Sequence, residues 1–445
     1  MRAGAPAPAV TELAGPLRPV RPARALLILL LVLGAACTST PEPGPEASTS
    51  PTGPSAASQS PSPEGPAPTS VTIEAPERGS ILVRGAYPPV DSDCARPTQA
   101  RLLARYPGTL RVERSDDGTL ALTVTLPFER YLEGIAEVPA SWPMAALRAQ
   151  AIAARSYALA RTGWDGQEGE PLDEPICASS ACQVYGGLPV EPSPGTQRWY
   201  RAVRRTRGQV LLSQGRPAET VYFSTSNGQT YGNEDVFGSS PLPYLRPVIE
   251  RDDGASPLSR WSARIAFEDL ARFLAAAGDW PSDEEIDAVR LDGGTLEVSG
   301  GAVRAMDLST FRDAVNAWAH CLEPGRYPQG GLPTTIPSRW LSLSSGERAV
   351  TVTGRGWGHG VGLVQWGAYG KAVRGVSAGA ILAWYYGGLR PRHVPEPGLI
   401  DVQVASGLVS VKVVPSGAGA LLDGEELGRG TIRIGGGDEL RVRAP

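Results

Sequence analysis

Apolar and polar positions alternate in short runs in the first third of the chain, which is the pattern of half-buried strands. The clearest runs are Ile81–Arg84, Thr109–Glu113 and Thr119–Leu126. Asp116-Asp117-Gly118 separates the last two and supplies the residues of a hairpin turn. The pattern therefore predicts a β-hairpin in a folded part that begins near residue 78.

The apolar period becomes helical further along. Met144–Leu159 predicts the best helix of the chain, with Ser141 as its cap and Pro143 in its first turn. One face of this helix carries residues three or four positions apart: Leu147, Ala151, Ala154 and Ala158. Such small residues permit close packing, so we expect a buried helix.

Short strand patterns separated by Gly-rich turns return near the end of the chain. They are Leu399–Val404, Val409–Val414, Ala420–Leu422, Thr431–Ile434 and Glu439–Val442. We interpret residues 397–445 as a small separate β domain and residues 78–396 as the main domain. The expected fold class is α+β, with mixed sheets, packed helices and this C-terminal all-β piece.

Glycine occupies every second position between residues 354 and 362. An extended strand would have one bare face there and would carry on the other face Arg355, Trp357, His359 and Val361. Glycine weakens a strand, so this run predicts a place where a ligand or another backbone comes close, with a flexible loop as the alternative. Its spacing fits neither of the glycine-rich nucleotide-binding patterns.

The N-terminus has the pattern of an exported protein. Arginines precede a short apolar run, Ala25–Leu33, which is too short to span a bilayer comfortably. Cys37 follows small residues, as in a bacterial lipoprotein signal, so we interpret residues 1–37 as a signal peptide and Cys37 as lipidated. Cleavage near Ala36 without lipidation is the alternative. Residues 38–77, rich in Pro, Ser and Thr, predict a disordered tether.

These features predict an extracytoplasmic protein at the cell wall, either lipid-anchored to the outer face of the cytoplasmic membrane or secreted. The net charge of −4 over 445 residues gives no basic patch for nucleic acid.

Four cysteines remain after Cys37, which favours two disulfides in an exported chain. Cys177 and Cys182 are expected to close a small loop, and Cys94 with Cys321 would join the start of the folded part to its later part. Half a zinc site is the alternative for the first pair, but no histidine lies nearby. We expect no metal and no other cofactor, and the sequence does not fix the pairing.

Glu137 lies among apolar neighbours just before the predicted helix, in Ile135-Ala-Glu-Val-Pro139. Desolvation disfavours a charged carboxylate, so such a position raises the pKa of the carboxyl group. A carboxylic acid that stays protonated near neutral pH can act as a general acid. A Glu that caps a helix or forms a salt bridge is the alternative.

Four separated motifs, in this order, resemble the stage II sporulation protein D/LytB amidase-enhancer family. They are Glu137-Val-Pro-Ala-Ser-Trp-Pro with the helix that follows, Gln183-Val-Tyr-Gly-Gly187 after the cysteine pair, Tyr222-Phe-Ser-Thr-Ser-Asn-Gly228, and the glycine segment with Leu363-Val-Gln-Trp-Gly367. The resemblance covers about residues 80–395. The chain differs from the common pattern by a spacing two residues shorter before Glu137, by Asn227 in place of Gly, and by Ala181 in place of a frequent His.

The resemblance implies peptidoglycan chemistry. Active members of the family resemble lytic transglycosylases, which cleave glycan strands between N-acetylmuramic acid and N-acetylglucosamine, and their catalytic acid maps onto Glu137. Such a reaction needs one carboxyl group, whereas ordinary glycosidases use two. We interpret Glu133, four residues earlier, as a solvated helix residue. The alternative function is a non-catalytic wall protein that stimulates an amidase partner.

The resemblance also suggests substrate-binding residues. His359 would hydrogen-bond sugar hydroxyls or orient Glu137, with a histidine bonded to backbone as the alternative, and Trp357 would offer its ring to a sugar. Arg355 would meet a muramic carboxylate or a neighbouring acid. The remaining predicted contacts are Gln365, Ser224, Ser226, Asn227 and Arg155.

Gly375-Val-Ser377-Ala-Gly379 matches the G-x-S-x-G pattern of serine hydrolases. No acid lies between Ser377 and the only later histidine, His393, so the expected order of a catalytic triad fails. We expect Ser377 to cap a helix instead.

Overall fold

A computed structural model describes residues 69–76, 79–88, 101–190, 193–292, 295–327, 336–416, 419–427 and 430–444. The predicted signal peptide, Cys37, Cys94 and most of the predicted tether lie outside these residues. Within the described ranges, no helix combines the length and the apolar character that a bilayer span requires.

Strands make up much of the described structure. In chain order they are β1 (Ser70–Glu74), β2 (Ile81–Ala86), β3 (Arg101–Tyr106), β4 (Thr109–Arg114), β5 (Leu120–Pro127), β6 (Ile176–Cys177), β7 (Gln209–Val210), β8 (Leu212–Ser213), β9 (Arg216–Pro217), β10 (Tyr222–Phe223), β11 (Trp261–Ala266), β12 (Ala288–Asp292), β13 (Thr295–Ser299), β14 (Val303–Asp307), β15 (Leu341–Ser345), β16 (Ala349–Gly354), β17 (Leu363–Val364), β18 (Arg392–His393), β19 (Leu399–Leu408), β20 (Ser410–Pro415), β21 (Ala420–Leu422), β22 (Glu425–Leu427), β23 (Ile432–Gly435) and β24 (Arg441–Arg443).

Helices alternate with these strands. They are α1 (Phe128–Glu133), α2 (Met144–Arg161), α3 (Pro194–Arg205), α4 (Asn233–Phe237), α5 (Phe267–Ala277), α6 (Leu308–Leu322), α7 (Gln365–Val373) and α8 (Ala378–Tyr385). The α+β class predicted from the sequence is confirmed, since helices pack beside mostly antiparallel sheets that also contain parallel pairs.

The two ends of the described chain form one β unit. A seven-stranded sheet has the order β22-β21-β1-β4-β5-β19-β6, and a five-stranded sheet has the order β24-β23-β20-β2-β3. Strands from both ends bury their apolar residues in one shared core.

The predicted separate domain at residues 397–445 is therefore wrong. Its short strands alternate in burial, so one face of each needs a partner, and the strands near the N-terminus provide it. The boundary near residue 78 is also too late, because β1 pairs with β4 from Ser70 onward.

Helix α2 is buried as predicted, with thirteen of its residues inaccessible to solvent. Ser141 does not cap it. The helix begins directly after Pro143, whose fixed backbone angle suits the start of a helix and whose side chain accepts no hydrogen bond. Ser377 does cap α8, as expected, by accepting a hydrogen bond from the N–H of Ala380 at 3.4 Å.

Residues 258–354 form a region with its own apolar core, built from β11, α5, the β12–β14 meander, α6, β15 and β16. The chain leaves this region through β16, whose last residue is Gly354, and runs directly into the glycine-rich segment.

The glycine-rich segment is not an extended strand. Gly356, Gly358, Gly360 and Gly362 all adopt positive φ, between 76° and 106°, which other residues rarely adopt. A Cβ atom at Gly362 would lie 2.1 Å from the carbonyl oxygen of Val221. The prediction of a close backbone approach is thus confirmed, whereas the predicted strand is wrong because the positive φ values turn the chain at every second residue.

Candidate active site

The turn that carries Glu137 is fixed by the segment that follows the Cys177–Cys182 loop. Ile135 forms a bridge with Tyr185, and the N–H of Ala136 donates to the carbonyl oxygen of Val184 at 3.0 Å. The N–H of Val184 in turn donates to Oε1 of Glu137 at 2.6 Å. The carboxyl group is therefore held by backbone while the Glu137 side chain stays partly exposed.

Helix α3 holds the segment between Glu137 and α2. Arg198 of α3 donates to the carbonyl oxygens of Ala140 at 3.3 Å and of Trp142 at 2.8 Å. Because these carbonyls belong to the link between Glu137 and α2, the arginine limits how far that link can move.

Two further motifs meet at the same carboxyl group. Strands β10 and β17 pair in parallel, with Tyr222 opposite Leu363. Gln365 begins α7 directly after β17. The side chains of Tyr222 and Gln365 both approach the carboxyl group of Glu137. Among the described residues, no acceptor lies within normal hydrogen-bond distance of the buried amide nitrogen of Gln365, so its interaction with Glu137 is a longer-range one.

The surroundings of Glu137 favour its neutral form. Burial raises the pKa of its carboxyl group above the ordinary value of 4.5, and the Val184 N–H together with the side chains of Gln365 and Tyr222 only partly opposes this rise. The hydroxyls of Tyr131, Tyr157 and Tyr222 have raised pKa values, chiefly because they are buried and in part because of the Glu137 charge. The expectation from the sequence, a carboxylic acid among apolar neighbours, agrees with this environment.

His359 uses both ring nitrogens on backbone. Its Nδ1 accepts from the N–H of Val361 at 3.1 Å, so its Nε2 carries the proton and donates to the carbonyl oxygen of Tyr222 at 2.9 Å. Burial lowers the pKa of His359 to about 4, so the ring is neutral. His359 is therefore the backbone-bonded histidine given as the alternative in the sequence analysis. It holds in place the strand that carries Tyr222.

Trp357 and Arg355 lie beside the other end of that strand. Trp357 exchanges two backbone hydrogen bonds with Thr225, at 2.8 and 3.1 Å, and its ring is partly exposed. Arg355 has an exposed side chain, and its carbonyl oxygen accepts from Ser338. Neither side chain has a recorded contact with Glu137, so their roles toward a substrate stay predictions.

The Ser224–Asn227 turn divides into two parts. The carbonyl oxygen of Ser224 accepts from the N–H of Trp366 at 3.0 Å, which brings Ser224 next to the start of α7. Ser226 is buried and donates its hydroxyl to Asp253 at 2.7 Å, while Asn227 donates to the hydroxyl of Tyr231 at 2.7 Å. The Ser226 hydroxyl is thus used in a buried hydrogen bond within the protein.

Arg155 does not line the site. It is 1% exposed, and its guanidinium binds both oxygens of Glu129, at 2.7 and 2.9 Å, and reaches the carbonyl oxygen of Val203 at 3.3 Å. The predicted substrate contact is wrong because these partners, distant in sequence, bury the arginine in the core.

Glu133 is likewise not solvated, contrary to the prediction. It is 8% exposed and pairs with Arg130 and, at 3.8 Å, with Arg204. Burial raises its pKa, and the two arginines oppose that rise. It therefore stabilises α1 against α3 and is not a second acid beside Glu137.

The predicted disulfide between Cys177 and Cys182 is confirmed, with its Cα atoms 5.6 Å apart. Both thiols are consumed by this bond, which rules out the zinc alternative for the pair. Cys321 is also disulfide-bonded, but Cys94 lies outside the described residues, so its pairing with Cys321 stays a prediction.

An aromatic cluster beside Glu137 was missed in the sequence. The ring of Trp142 lies 4.9 Å from that of Trp366 and 5.2 Å from that of Tyr369. Trp366 and Tyr369 are partly exposed, and Trp366 directly follows Gln365. The signal was present, since all three rings lie in or beside the motifs that carry Glu137 and Gln365.

Comparison with known proteins agrees with this arrangement. A model of the stage II sporulation protein family matches residues 116–212, which contain Glu137, α2 and the disulfide loop. The amidase enhancer of Bacillus subtilis is 29% identical over 290 residues, which cover 57% of this chain and 38% of that protein. Stage II sporulation protein D of B. subtilis is 29% identical over 279 residues, covering 59% of this chain and 74% of that protein.

An uncharacterized protein of Brachyspira hyodysenteriae is similar over a comparable length, with 27% identity over 290 residues that cover 64% of this chain and 71% of that protein. The family match spans the turn and loop that hold Glu137, and the relatives extend the similarity over more than half of the chain. The chain is thus similar, over its Glu137 region and over more than half of its length, to stage II sporulation protein D and to the amidase enhancer.

Proposed function

We propose that this protein is a peptidoglycan lytic transglycosylase with Glu137 as its general acid and base. The observation that carries the proposal is a single partly exposed carboxyl group, with a raised pKa, at the meeting point of four sequence motifs. Among the described residues, no second carboxylate acts on it. Hydrolytic glycosidases use two carboxylates, so this arrangement favours a reaction that needs one.

The proposed reaction proceeds in two proton transfers. Protonated Glu137 gives its proton to the oxygen that links the muramic acid to the next sugar, and the bond from C1 to that oxygen breaks. Ionised Glu137 then takes the proton of the sugar's own 6-hydroxyl, whose oxygen forms the new bond to C1. Glu137 ends protonated, no water is consumed, and the product is an anhydro-muramyl end.

The aromatic cluster would hold the glycan next to the acid. Trp366 and Tyr369 present partly exposed rings from α7, and Trp142 supports them from the turn after Glu137. Aromatic faces pack well against the apolar faces of sugar rings and have little conformational entropy to lose. We therefore assign to Trp366 and Tyr369 the sugar contact that the sequence suggested for Trp357.

The test is digestion of purified glycan strands, with and without stem peptides, followed by mass spectrometry. Anhydro-muramyl ends are expected with the native chain and are expected to fall by 10²- to 10⁴-fold in Glu137→Gln, the usual contribution of a general acid. Glu219→Gln, a partly exposed glutamate paired with Arg161, is the matched control and should leave the product unchanged. Wall binding without anhydro product on any strand would overturn the proposal.

A second function is favoured by the similarity to the B. subtilis amidase enhancer. In that case the same groove would bind glycan without cleaving it and would present an N-acetylmuramoyl-L-alanine amidase to the wall. The same digestion separates the two functions, because an enhancer increases release of stem peptides only when an amidase is added and forms no anhydro ends. A lipid anchor at Cys37 would place either activity outside the cytoplasmic membrane.

A further inference from the structure

Two arginines lie beside a stacked pair of aromatic rings, where the region of residues 258–354 meets the glycine-rich segment. The rings of Tyr231 and Trp340 stack with their centroids 5.4 Å apart. The guanidinium carbon of Arg339 lies 5.9 Å from the centroid of the Tyr231 ring. The N–H of Arg355 donates to the carbonyl oxygen of Trp340 at 3.1 Å, so Arg339 and Arg355 are close neighbours across this backbone pairing.

Neither arginine is neutralised by a salt bridge among the described residues, and both side chains are exposed. A third arginine lies near them. Burial lowers the pKa of Arg312, the charge of Asp313 opposes this change, and the charge of Arg339 adds to it. The chain as a whole has a net charge of −4, so this local group of cations is a property of the place and not of the composition.

Two polar groups beside the arginines can also serve a ligand. The hydroxyl of Tyr231 accepts from Nδ2 of Asn227 at 2.7 Å, and the described residues provide no acceptor for its own proton. Oδ1 of Asn227 is buried and has no hydrogen-bond partner among these residues. An unpaired buried oxygen costs free energy, so a polar ligand that donates to it would be stabilised.

This place lies next to the proposed sugar contact. The carbonyl oxygen of Ser224 accepts from the N–H of Trp366, a member of the aromatic cluster, at 3.0 Å. Asn227 follows Ser224 by three residues, so their Cα atoms lie at most about 11 Å apart. Because Asn227 binds Tyr231, the arginines are a short distance from the rings that would hold the glycan.

We propose that Arg339 and Arg355, with the hydroxyl of Tyr231, form a subsite for a carboxylate of the peptidoglycan strand. A guanidinium group matches the planar carboxylate and binds it through two parallel hydrogen bonds. The strand can offer this group from two sources: muramic acid, whose lactyl carboxyl is free once the stem peptide is removed, and the stem peptide itself. The inference rests on the proposed function in that the strand lies in the Glu137 groove, and it gives the region of residues 258–354 a wall of that groove.

The test measures equilibrium binding of soluble fragments to the full chain carrying Glu137→Gln, which prevents cleavage. The fragments are denuded strands, strands with stem peptides, and N-acetylglucosamine oligomers of the same length, which have no carboxylate. Arg339→Gln is expected to raise the Kd of a carboxylate-bearing fragment about 10-fold, because hydrogen bonds to a charged group are lost. The Kd of the N-acetylglucosamine oligomer should not change. The denuded and the peptide-bearing fragments distinguish the two sources of the carboxylate.

Arg290→Gln is the matched control, because Arg290 is exposed on β12 of the same region. It should bind every fragment as the parent chain does. The double variant Arg339→Gln/Arg355→Gln should lose all preference for carboxylate-bearing fragments, and both substitutions are at exposed positions that tolerate them. An unchanged Kd for both carboxylate-bearing fragments in the double variant, an equal rise for the N-acetylglucosamine oligomer, or no carboxylate preference in the parent chain would overturn the proposal.

Binding and cleavage are measured separately, so the two proposals can fail separately. A carboxylate preference that depends on Arg339, in a native chain that forms no anhydro product, rejects the proposed function and leaves the subsite standing. Anhydro product from a chain without that preference rejects the subsite alone.

Discussion

Helix α7 has a carboxyl group near each end, and the two groups are held in opposite ways. At its first residue, Gln365 lies beside the partly exposed Glu137, whose other partners are the Tyr222 hydroxyl and one backbone N–H. In its last turn, Lys371 binds both oxygens of Glu250 at 3.0 Å and Asp252 at 2.8 Å. Among the described residues, no cation acts on the first carboxyl group, whereas the second site pairs Glu250 with Lys371 and Asp252 with both Lys371 and Arg374.

The two carboxyl groups differ in how completely the protein pairs them. The backbone N–H groups of Arg251 and Asp252 also donate to Glu250, at 2.9 and 2.6 Å, so its carboxyl oxygens are taken up by partners within the protein. The same loop continues to Asp253, which binds Ser226. The Glu250 end therefore fixes the loop that holds Ser226, whereas the Glu137 end holds a carboxyl group whose pKa is raised by burial.

Removal of the cation at the Lys371 end should give the largest effect on stability. Lys371→Met leaves the buried Glu250 without its cation, while Asp252 keeps Arg374, and this is expected to cost about 3–5 kcal/mol. Chemical denaturation measures the loss of unfolding free energy. Lys412→Met, at the other lysine of the chain, is exposed and should stay within about 0.5 kcal/mol of the native value. A loss below about 1 kcal/mol in Lys371→Met would show that the pair is not structural.

Loss of the Cys177–Cys182 disulfide should affect the Glu137 end next. The bond closes a short loop, and its removal in a double Cys→Ser variant is expected to cost about 2 kcal/mol. Because Val184 follows the loop and binds Glu137, anhydro product should also decrease. Denaturation and digestion of the same sample give both values. A stability loss with full activity would show that the loop does not position the acid.

Truncation of one ring should weaken substrate binding more modestly. Trp366→Ala removes an exposed aromatic face beside Gln365 and is expected to raise KM by about 10-fold with little change in kcat. Trp384→Ala is the matched control at the other end of α7, where its ring lies 5.3 Å from Lys371. Equal effects of the two substitutions on KM would argue against a glycan subsite on α7.

Neutralisation of Glu137 should give the smallest effect on stability, and with a distinctive sign. Burial raises the folded pKa of Glu137 above its unfolded value, so the native state holds more protons than the unfolded state between these two values. The free energy of unfolding therefore falls as pH rises through that window. Glu137→Gln lacks this fall and should be more stable than the native chain by about 1 kcal/mol above it.

Urea denaturation on both sides of the window measures this difference, and Glu219→Gln serves as the control. Parallel pH dependences for the native chain and Glu137→Gln would indicate that the carboxyl group has no raised pKa and would remove the distinction between the two ends of α7.

Local pattern predicted much of this structure. The alternation of apolar residues gave β4, β5 and α2 within a few residues, and apolar neighbours singled out Glu137. The predicted glycan contact of Gln365 stays a prediction, although its side chain approaches Glu137. These features depend on residues close in sequence, which is where propensity and burial patterns are informative.

The errors share a physical origin in distant partners and backbone angles. Arg155 was assigned to substrate and Glu133 to solvent because the elements that bury them, α1 around Arg155 and α3 beside Glu133, are distant in sequence or not visible in the local pattern. The glycine segment was treated as an extended strand because residue identity shows only that positive φ is permitted there, and the backbone partners that impose it come from distant segments. Arg339 and Trp340 belong to no recognised motif, and the pairing of β15 with β16 brings them beside the glycine segment.

The most direct test of the central claim is cleavage of glycan strands in water enriched in ¹⁸O. Glu137 acting alone with the sugar's own 6-hydroxyl consumes no water. The new ends should therefore carry no ¹⁸O and should be lighter than hydrolysed ends by one water. These anhydro ends should be lost in Glu137→Gln. Incorporation of ¹⁸O at the new ends, or anhydro ends that persist in Glu137→Gln, would contradict the account.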